Sequence, residues 1–303
     1  MSSPLPPSVN LDDSTGEHDT RAKSKAMVRL AFGAMTHPGK VRTNNEDHFL
    51  VARLAKSMSV CKTSLPDDGN MLFSEEEGYL MVVADGMGGA AAGERASSLA
   101  VLSVETFVLN TLKWFFHINP SEENALFNEL RQGLERADRT VVERARANPN
   151  LHGMGTTLTM VYSVSSELYI VHAGDSRAYL YRRGELQQLT CDHTLVQVMV
   201  SGGVLAPEDA KTHPRRNVVT NVIGGPREGV HAEIHKLTVD DGDILLLCSD
   251  GLTEPVDDEG IAETLALHPE PEDACRFLVE RALERGGPDN ITVIVARYGL
   301  TSV

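Results

Sequence analysis

Long apolar runs are missing from this chain. The longest stretches, such as Ile244 to Cys248, fall far short of the ~20 residues that a bilayer-spanning helix needs, so no membrane span is expected. No apolar segment follows the N-terminus either. Met1 to Lys25 is polar, which excludes a signal peptide as a reading and makes the cytoplasm the expected location. Cysteine is scarce: Cys61, Cys191, Cys248 and Cys275 are scattered, with no C-x-x-C pair. Neither a disulfide framework nor a zinc site is indicated, and the four read as reduced, structural thiols. Positive charge is also short, with 28 Lys and Arg against 43 Asp and Glu, a formal net charge of −15. Nucleic-acid binding rests on neutralising phosphates with basic side chains, so this class is excluded. A surplus of acid can instead hold cations, a reading that needs motifs to support it.

What is present is patterned. Residues 1–26 hold three prolines and no hydrophobic period and read as a disordered tail. Residues 27–300 read as one domain. Strand-like runs at Val28–Thr36 and His48–Ala52 come first, and the mixed stretch 53–77, punctuated by Pro66, Asp67, Asp68 and Gly69, reads as an insertion or long loop. Tyr79–Ala84 is a nearly continuous apolar run ending at Asp85, the mark of a strand buried on both faces. Ala96, Leu99, Ala100, Ser103 and Phe107 share one helical face, as do Leu126, Leu130, Leu134, Ala137, Val141 and Ala145 behind a candidate N-cap at Ser121. Strands are expected at Thr156–Val164, Glu167–Ala173 and Arg177–Arg182, then at Ala232–Val239 and Asp243–Ser249 across a tight Asp240-Asp241-Gly242 turn. Between these groups, 192–225 is a segment of short helices broken by Gly202-Gly203, Pro207 and Pro214. Helices near Asp258–Leu267 and Glu272–Arg285 precede a last strand at Ile291–Arg297. Helices in pairs and strands in runs indicate an α+β fold of antiparallel sheets with helices packed outside, not a doubly wound parallel sheet.

Short acidic motifs stand where the strands end: Asn45-Glu46-Asp47, Asp85-Gly86-Met87-Gly88-Gly89, Gly174-Asp175-Ser176-Arg177, Ser249-Asp250-Gly251 and Pro288-Asp289-Asn290. One Asp-Gly at a strand end is usually a turn. An aspartate closing a buried strand is nevertheless costly to desolvate unless it is paired or metal-bound. Five such sites in one chain point to a shared cation cluster. Carboxylate, carbonyl and water oxygens suit hard divalent cations, and the motifs offer neither thiolates nor a histidine cluster for zinc or copper.

With Gly155-Thr156-Thr157 and Thr190-Cys191-Asp192-His193-Thr194 added, this set of motifs in this order resembles the PPM family, the type 2C protein serine/threonine phosphatases, in its bacterial form. The resemblance runs from about Phe32 to Val295. It implies a four-layer αββα sandwich, two antiparallel β-sheets flanked by helices, with two Mn²⁺ or Mg²⁺ ions and a third, weaker site in a cleft at one edge. By matching motifs, Asp85 would bridge the two ions and the Gly86 carbonyl would serve the second. Asp250 and Asp289 would hold the first, Glu46 and Asp47 would act at the second, partly through water, and Asp175 would share the third with Asp250. Arg42 would clamp the phosphate, since a guanidinium meets phosphate oxygens in a bidentate fashion. The implied reaction is hydrolysis of phosphothreonine or phosphoserine by a water bridging the ions. The implied partners are phosphorylated proteins supplied by a Ser/Thr kinase. A monomer is the default expectation.

Met87 stands where eukaryotic members carry a histidine suited to protonating the leaving alkoxide, so a water is the expected proton donor. The segment 192–225 resembles the family's flap, where His213 is a candidate substrate contact. Other chemistries fit less well. Cys275 and Arg281 have C-x₅-R spacing, but the residues between them are helical and glycine-free, unlike a phosphate-cradling loop. Asp241-Gly242-Asp243 precedes its strand, as a hairpin turn does. A binding module that has lost catalysis would lack metal ligands, whereas Asp85, Asp250 and Asp289 are all present. A metal-dependent phosphoesterase for small molecules is the remaining alternative, separable by relative rates on phosphopeptides and nucleotides.

Overall fold

The computed structural model describes residues 27–59, 71–110, 122–225 and 229–301. The expected tail, the 66–69 turn, Cys61 and Ser121 lie outside the described residues. Along the chain run β1 (Met27–His37), β2 (Asp47–Ser59), β3 (Met71–Met87), α1 (Ala90–Asn110), α2 (Glu123–Ala147), β4 (Gly155–Thr156), β5 (Leu158–Val164), β6 (Glu167–Ala173), β7 (Arg177–Arg182) and β8 (Glu185–Gln188). There follow α3 (Leu195–Ser201), α4 (Pro207–Ala210), β9 (Ile223–Gly224), β10 (Glu233–Thr238), β11 (Ile244–Cys248), α5 (Asp250–Thr253), α6 (Asp258–Leu267), α7 (Pro271–Glu284) and β12 (Ile291–Thr301). No helix among the described residues is long and apolar enough to cross a membrane.

The strands form two sheets, one ordered β1-β12-β11-β7-β8 and the other β10-β6-β5-β3-β4-β9 with β2 on the free side of β3. Every pairing is antiparallel. Their stacking follows from alternation along the central strands, whose successive side chains face opposite ways. In β3, Leu80, Val82 and Ala84 pack under α1 and α2, while Met81 and Val83 point at the other sheet. In β11, Leu245 and Leu247 meet them from across the gap, and Ile244, Leu246 and Cys248 face α6 and α7. Three apolar layers therefore separate four layers of secondary structure, as the αββα expectation requires. These strands read as unbroken apolar runs because both of their faces are covered.

Two local expectations are corrected. The stretch 53–77 is not a loop at its ends: β2 continues to Ser59 and β3 begins at Met71, with Ser57 opposite Phe73 past an irregularity at Ala55. Backbone pairing needs no apolar face, so mixed polarity concealed the ribbon. Helix α2 starts at Glu123, and Glu122 takes the cap position without a side-chain cap bond. Cys275 lies buried within α7 and Asp241-Gly242 forms a turn before β11, so neither rival phosphatase motif has the setting its chemistry needs.

Leu247 is fully buried between the sheets. Leu247→Ala is expected to cost about 2–5 kcal/mol of unfolding free energy in urea denaturation, from lost transfer energy plus a cavity. A loss below ~1 kcal/mol would show that the sheets do not share that core.

Candidate active site

The register of β2 on β3 sets Asp47 opposite Asp85, the residue that ends the buried run of β3. In the facing sheet, Asp250 stands one residue beyond β11, at the start of α5, and Asp289 stands just before β12, the strand paired with β11. Four strand ends thus bring carboxylates to one edge of the sandwich. A cleft of about 370 Å³ opens there, lined by Arg42, Glu46, Asp85, Gly86, Asp175, Asp250 and Asp289, with Met87 and Thr157 beside them. Asp47 lies beneath it, only 4% exposed.

The carboxylates are held in place by neutral donors. Asp47 Oδ2 accepts hydrogen bonds from Ser249 Oγ (2.8 Å) and Thr292 Oγ1 (2.7 Å), which joins the two sheets. At the end of β3, the Asp85 N–H donates to Thr157 Oγ1 (3.0 Å), and the Asp85 carbonyl accepts from Thr156 Oγ1 (2.8 Å) and the Thr157 N–H (2.9 Å). The Gly-Thr-Thr motif therefore clamps the strand that carries Asp85. At Gly86 the α1 backbone comes so close that a Cβ would collide with the Gly93 carbonyl.

Electrostatics leave this edge unbalanced. Asp47 Oδ1 and Asp250 Oδ1 are buried without a hydrogen-bond partner among the described residues, a costly arrangement for charged oxygens in the absence of a cation. Burial pushes the Asp47 carboxyl up to about 6, against the lowering effect of the Thr292 and Ser249 bonds. Burial and the nearby Asp192 charge push Asp175 up to about 6 as well. Asp85 and Asp250 are raised well above the ordinary carboxylate range, by burial first and by neighbouring aspartates second. The one cation lining the cleft among the described residues is Arg42, whose Nη2 lies 2.6 Å from Asp289 Oδ2. This donor set of clustered carboxylates, with Gly86 in the same lining, fits hard divalent ions.

The structure also shows what the motifs concealed. Asn290 accepts the Glu46 N–H at Oδ1 (2.8 Å) and donates from Nδ2 to the carbonyls of Pro38 (3.0 Å) and Asn44 (2.8 Å). One buried amide thereby shapes the 38–46 loop that presents Arg42 and Glu46. The only hint in the sequence is its place after Asp289. From the flap, Asn217 and Val219 line the cleft, and no pattern in the sequence marked them. His213 does not line it. Its Nδ1 accepts the Arg215 N–H (3.1 Å), which folds the ring back onto its own turn. No histidine lines the cleft among the described residues, and Met87 occupies the place after Gly86.

Asn290→Ala leaves three backbone groups of the 38–46 loop, at Pro38, Asn44 and Glu46, without their side-chain partner. It is expected to lower stability by about 1–3 kcal/mol and to raise the Mn²⁺ concentration for half-maximal binding by calorimetry. Unchanged Mn²⁺ binding would show that this loop is positioned by other contacts.

The sequence model of the family described as "Protein phosphatase 2C" matches residues 61–285. The chain is 36% identical over 277 residues to the serine/threonine protein phosphatase PstP of Mycobacterium tuberculosis, covering 90% of this chain and 46% of that protein. It thus spans about half the length of that relative. To the serine/threonine phosphatase Stp of Listeria monocytogenes it is 33% identical over 235 residues, covering 78% of this chain and 90% of that one. A crystal structure of M. tuberculosis PstP matches with a TM-score of 0.70 at 35% identity, covering 88% of this chain and 98% of that one. The PstP catalytic domain solved in complex with two manganese ions matches with a TM-score of 0.70 at 33% identity, covering 90% and 99%. With the αββα sandwich and its acidic edge in place, these likenesses establish that the chain belongs to the protein phosphatase 2C family.

Proposed function

We propose that this protein is a metal-dependent serine/threonine phosphatase that hydrolyses phosphothreonine and phosphoserine in proteins. The observation that carries this reading is the convergence of partly unpartnered carboxylates on a cleft whose lining, among the described residues, holds a single guanidinium. Asp85 and the Gly86 carbonyl, with Asp250 and Asp289 on one side and Glu46 and Asp47 on the other, would hold two Mn²⁺ or Mg²⁺ ions. Asp175, with Asp250, would hold a third more weakly. Bound there, such ions activate water as a nucleophile at neutral pH and neutralise phosphoryl charge.

The chain's own groups divide the remaining work. Ser249 and Thr292 occupy one Asp47 oxygen and leave the other open, which fixes the direction in which that carboxylate can act. Arg42 is just over half exposed and salt-bridged to Asp289. In the absence of a cation its guanidinium supplies the positive charge that Asp289 requires. Were Asp289 to hold an ion, the guanidinium fork would be free to take two phosphate oxygens. Since no histidine lines the cleft among the described residues, the leaving alkoxide takes its proton from solvent. Asn217 and Val219 place the flap where the polypeptide flanking a phosphorylated residue would lie. Supply of such substrates by a serine/threonine kinase, and action as a cytoplasmic monomer, belong to the same proposal.

Phosphate release from a phosphothreonine peptide is expected to require Mn²⁺, to stop in EDTA and to fall to background in Asp250→Asn. Arg42→Ala is expected to slow release by about 10²–10³-fold, with Arg42→Lys between it and wild type. Metal-independent release, or full activity in Asp250→Asn, would contradict the proposal. Faster turnover of nucleotides than of phosphopeptides would move the substrate class to small molecules.

A further inference from the structure

Behind the cleft, the turn that carries Asp175 is gripped by a residue from the base of the flap. The His193 N–H donates to the Gly174 carbonyl (2.7 Å), and the Gly174 N–H donates back to His193 Nδ1 (3.1 Å). Both backbone polar groups of Gly174 are therefore held by one histidine. Gly174 has φ +123° and is crowded by the Thr157 side chain, so the turn has little freedom of its own. The other side of His193 holds the returning arm of the flap. Its carbonyl accepts the Thr220 N–H (2.7 Å) and Thr220 Oγ1 (2.9 Å), and Asn221 Nδ2 donates to the same Nδ1 (3.0 Å). Asn221 is fastened in turn to His231 through both its amide atoms. The neighbouring Thr194 pairs with Val219, which lines the cleft.

Because Nδ1 receives N–H donors, the network assigns the ring proton to Nε2, which faces Glu233 Oε2 at 3.0 Å. Glu233 also accepts the Cys191 N–H (3.0 Å) and pairs with His235. His172 lies against the His193 ring, with Nε2 to the Gly174 (3.0 Å) and Cys191 (3.2 Å) carbonyls and Nδ1 on Thr159 Oγ1 (2.9 Å). The donor atoms of His172, His193 and Glu233 lie within 4.8 Å of one another. Every nitrogen of both rings already has a partner from the protein, so the cluster is a satisfied hydrogen-bond network and not a vacant ligand set. A bidentate Arg177–Asp192 pair (2.8 and 2.6 Å) also ties the start of the flap segment to this turn, while His193 bonds both to Gly174 and to Thr220 and Asn221 of the returning arm.

We propose that His193 is a positioning residue that latches the Asp175 turn to the flap, so that a cation at Asp175 and a phosphoprotein beneath the flap each steady the other's binding segment. The inference rests on the assignment of Asp175 to a cation site made above. Nδ1 is the atom that matters, since it alone receives donors from both the turn and the flap. Asn at this position keeps an acceptor near the place of Nδ1. Gln carries its amide out toward the place of Nε2, so it can reach Glu233 but leaves the Gly174 N–H without its partner.

The test uses the full chain as wild type, His193→Asn, His193→Gln and Asp175→Asn. Hydrogen exchange is read on peptides spanning 174–176 and 217–221, with and without Mn²⁺, beside KM for a phosphothreonine peptide and for a small aryl phosphate. In wild type and His193→Asn, Mn²⁺ is expected to slow exchange in 217–221. In His193→Gln and Asp175→Asn that protection is lost. The KM of His193→Gln rises about tenfold for the peptide, the scale of one hydrogen bond to a positioned group, with the aryl phosphate little changed. Equal losses in Asn and Gln that follow their melting temperatures would overturn the proposal, as would Mn²⁺ protection that survives in His193→Gln. A wild type without phosphatase activity would count against the proposed function alone, because the exchange measurement reads the latch directly.

Discussion

The structure turns on one unfavourable interaction, the crowding of aspartates at a single edge of a buried β-sandwich. Asp85 closes the apolar run Tyr79–Ala84 and Asp250 stands one residue beyond the apolar strand β11, and each is raised by burial first and by neighbouring carboxylates second. An isolated ionised carboxylate in such a place would cost several kcal/mol. Among the described residues, Arg42 at the rim is salt-bridged to Asp289, and Arg177, itself paired with Asp192, acts on Asp175 from behind. The protein supplies hydroxyl donors such as Ser249 and Thr292, which orient carboxylates without cancelling their charge. The remaining deficit is the affinity for divalent ions.

The surrounding fold acts as scaffold for that deficit. Both sheets are covered on both faces, so the strand ends cannot relax outward without opening one of three apolar cores. Close backbone approaches add stiffness, as where α1 crosses Gly86 near the Glu46 carbonyl. Hydrogen bonds among uncharged groups then tie the loops to the strand ends: Asn290 to the 38–46 loop, Thr156 and Thr157 to Asp85, His193 to the 174–176 turn. Positioning residues of this kind hold the acidic groups in place while leaving their outward oxygens free.

How much of this could be read from the sequence depended on whether a residue's partners are local. Tyr79–Ala84 and Ile244–Cys248 were legible because a strand covered on both faces must be continuously apolar, and an acid at its end is conspicuous. The α+β class followed from the grouping of helices and strands. The two-residue strands β4 and β9 carry no period at all, and the outer parts of β2 and β3 pair through backbone where side-chain polarity is mixed. At the site, the acidic motifs pointed to the cleft, yet Asn217 and Val219 reach it in place of His213 because the flap's course is set by bonds to His193 and Thr194, remote in sequence from the strands they join. Asn290 and His193 gain their roles only from partners that the fold brings to them.

The central claim, that repulsion among these carboxylates is what divalent ions relieve, is tested most directly by thermal melting of metal-free wild type and Asp250→Asn. A carboxyl whose folded pKa is raised contributes stability that is full below about 4 and is lost as pH rises through the folded value, about 6 for Asp47 and Asp175, with Asp250 also raised well above the ordinary range. Metal-free Asp250→Asn should therefore melt above metal-free wild type at pH 7.5, with the gap narrowing by pH 5, and Mn²⁺ should raise the melting temperature of wild type far more than that of the variant. An Asp250→Asn protein that melts at or below wild type without metal, at pH 7.5, would contradict the account.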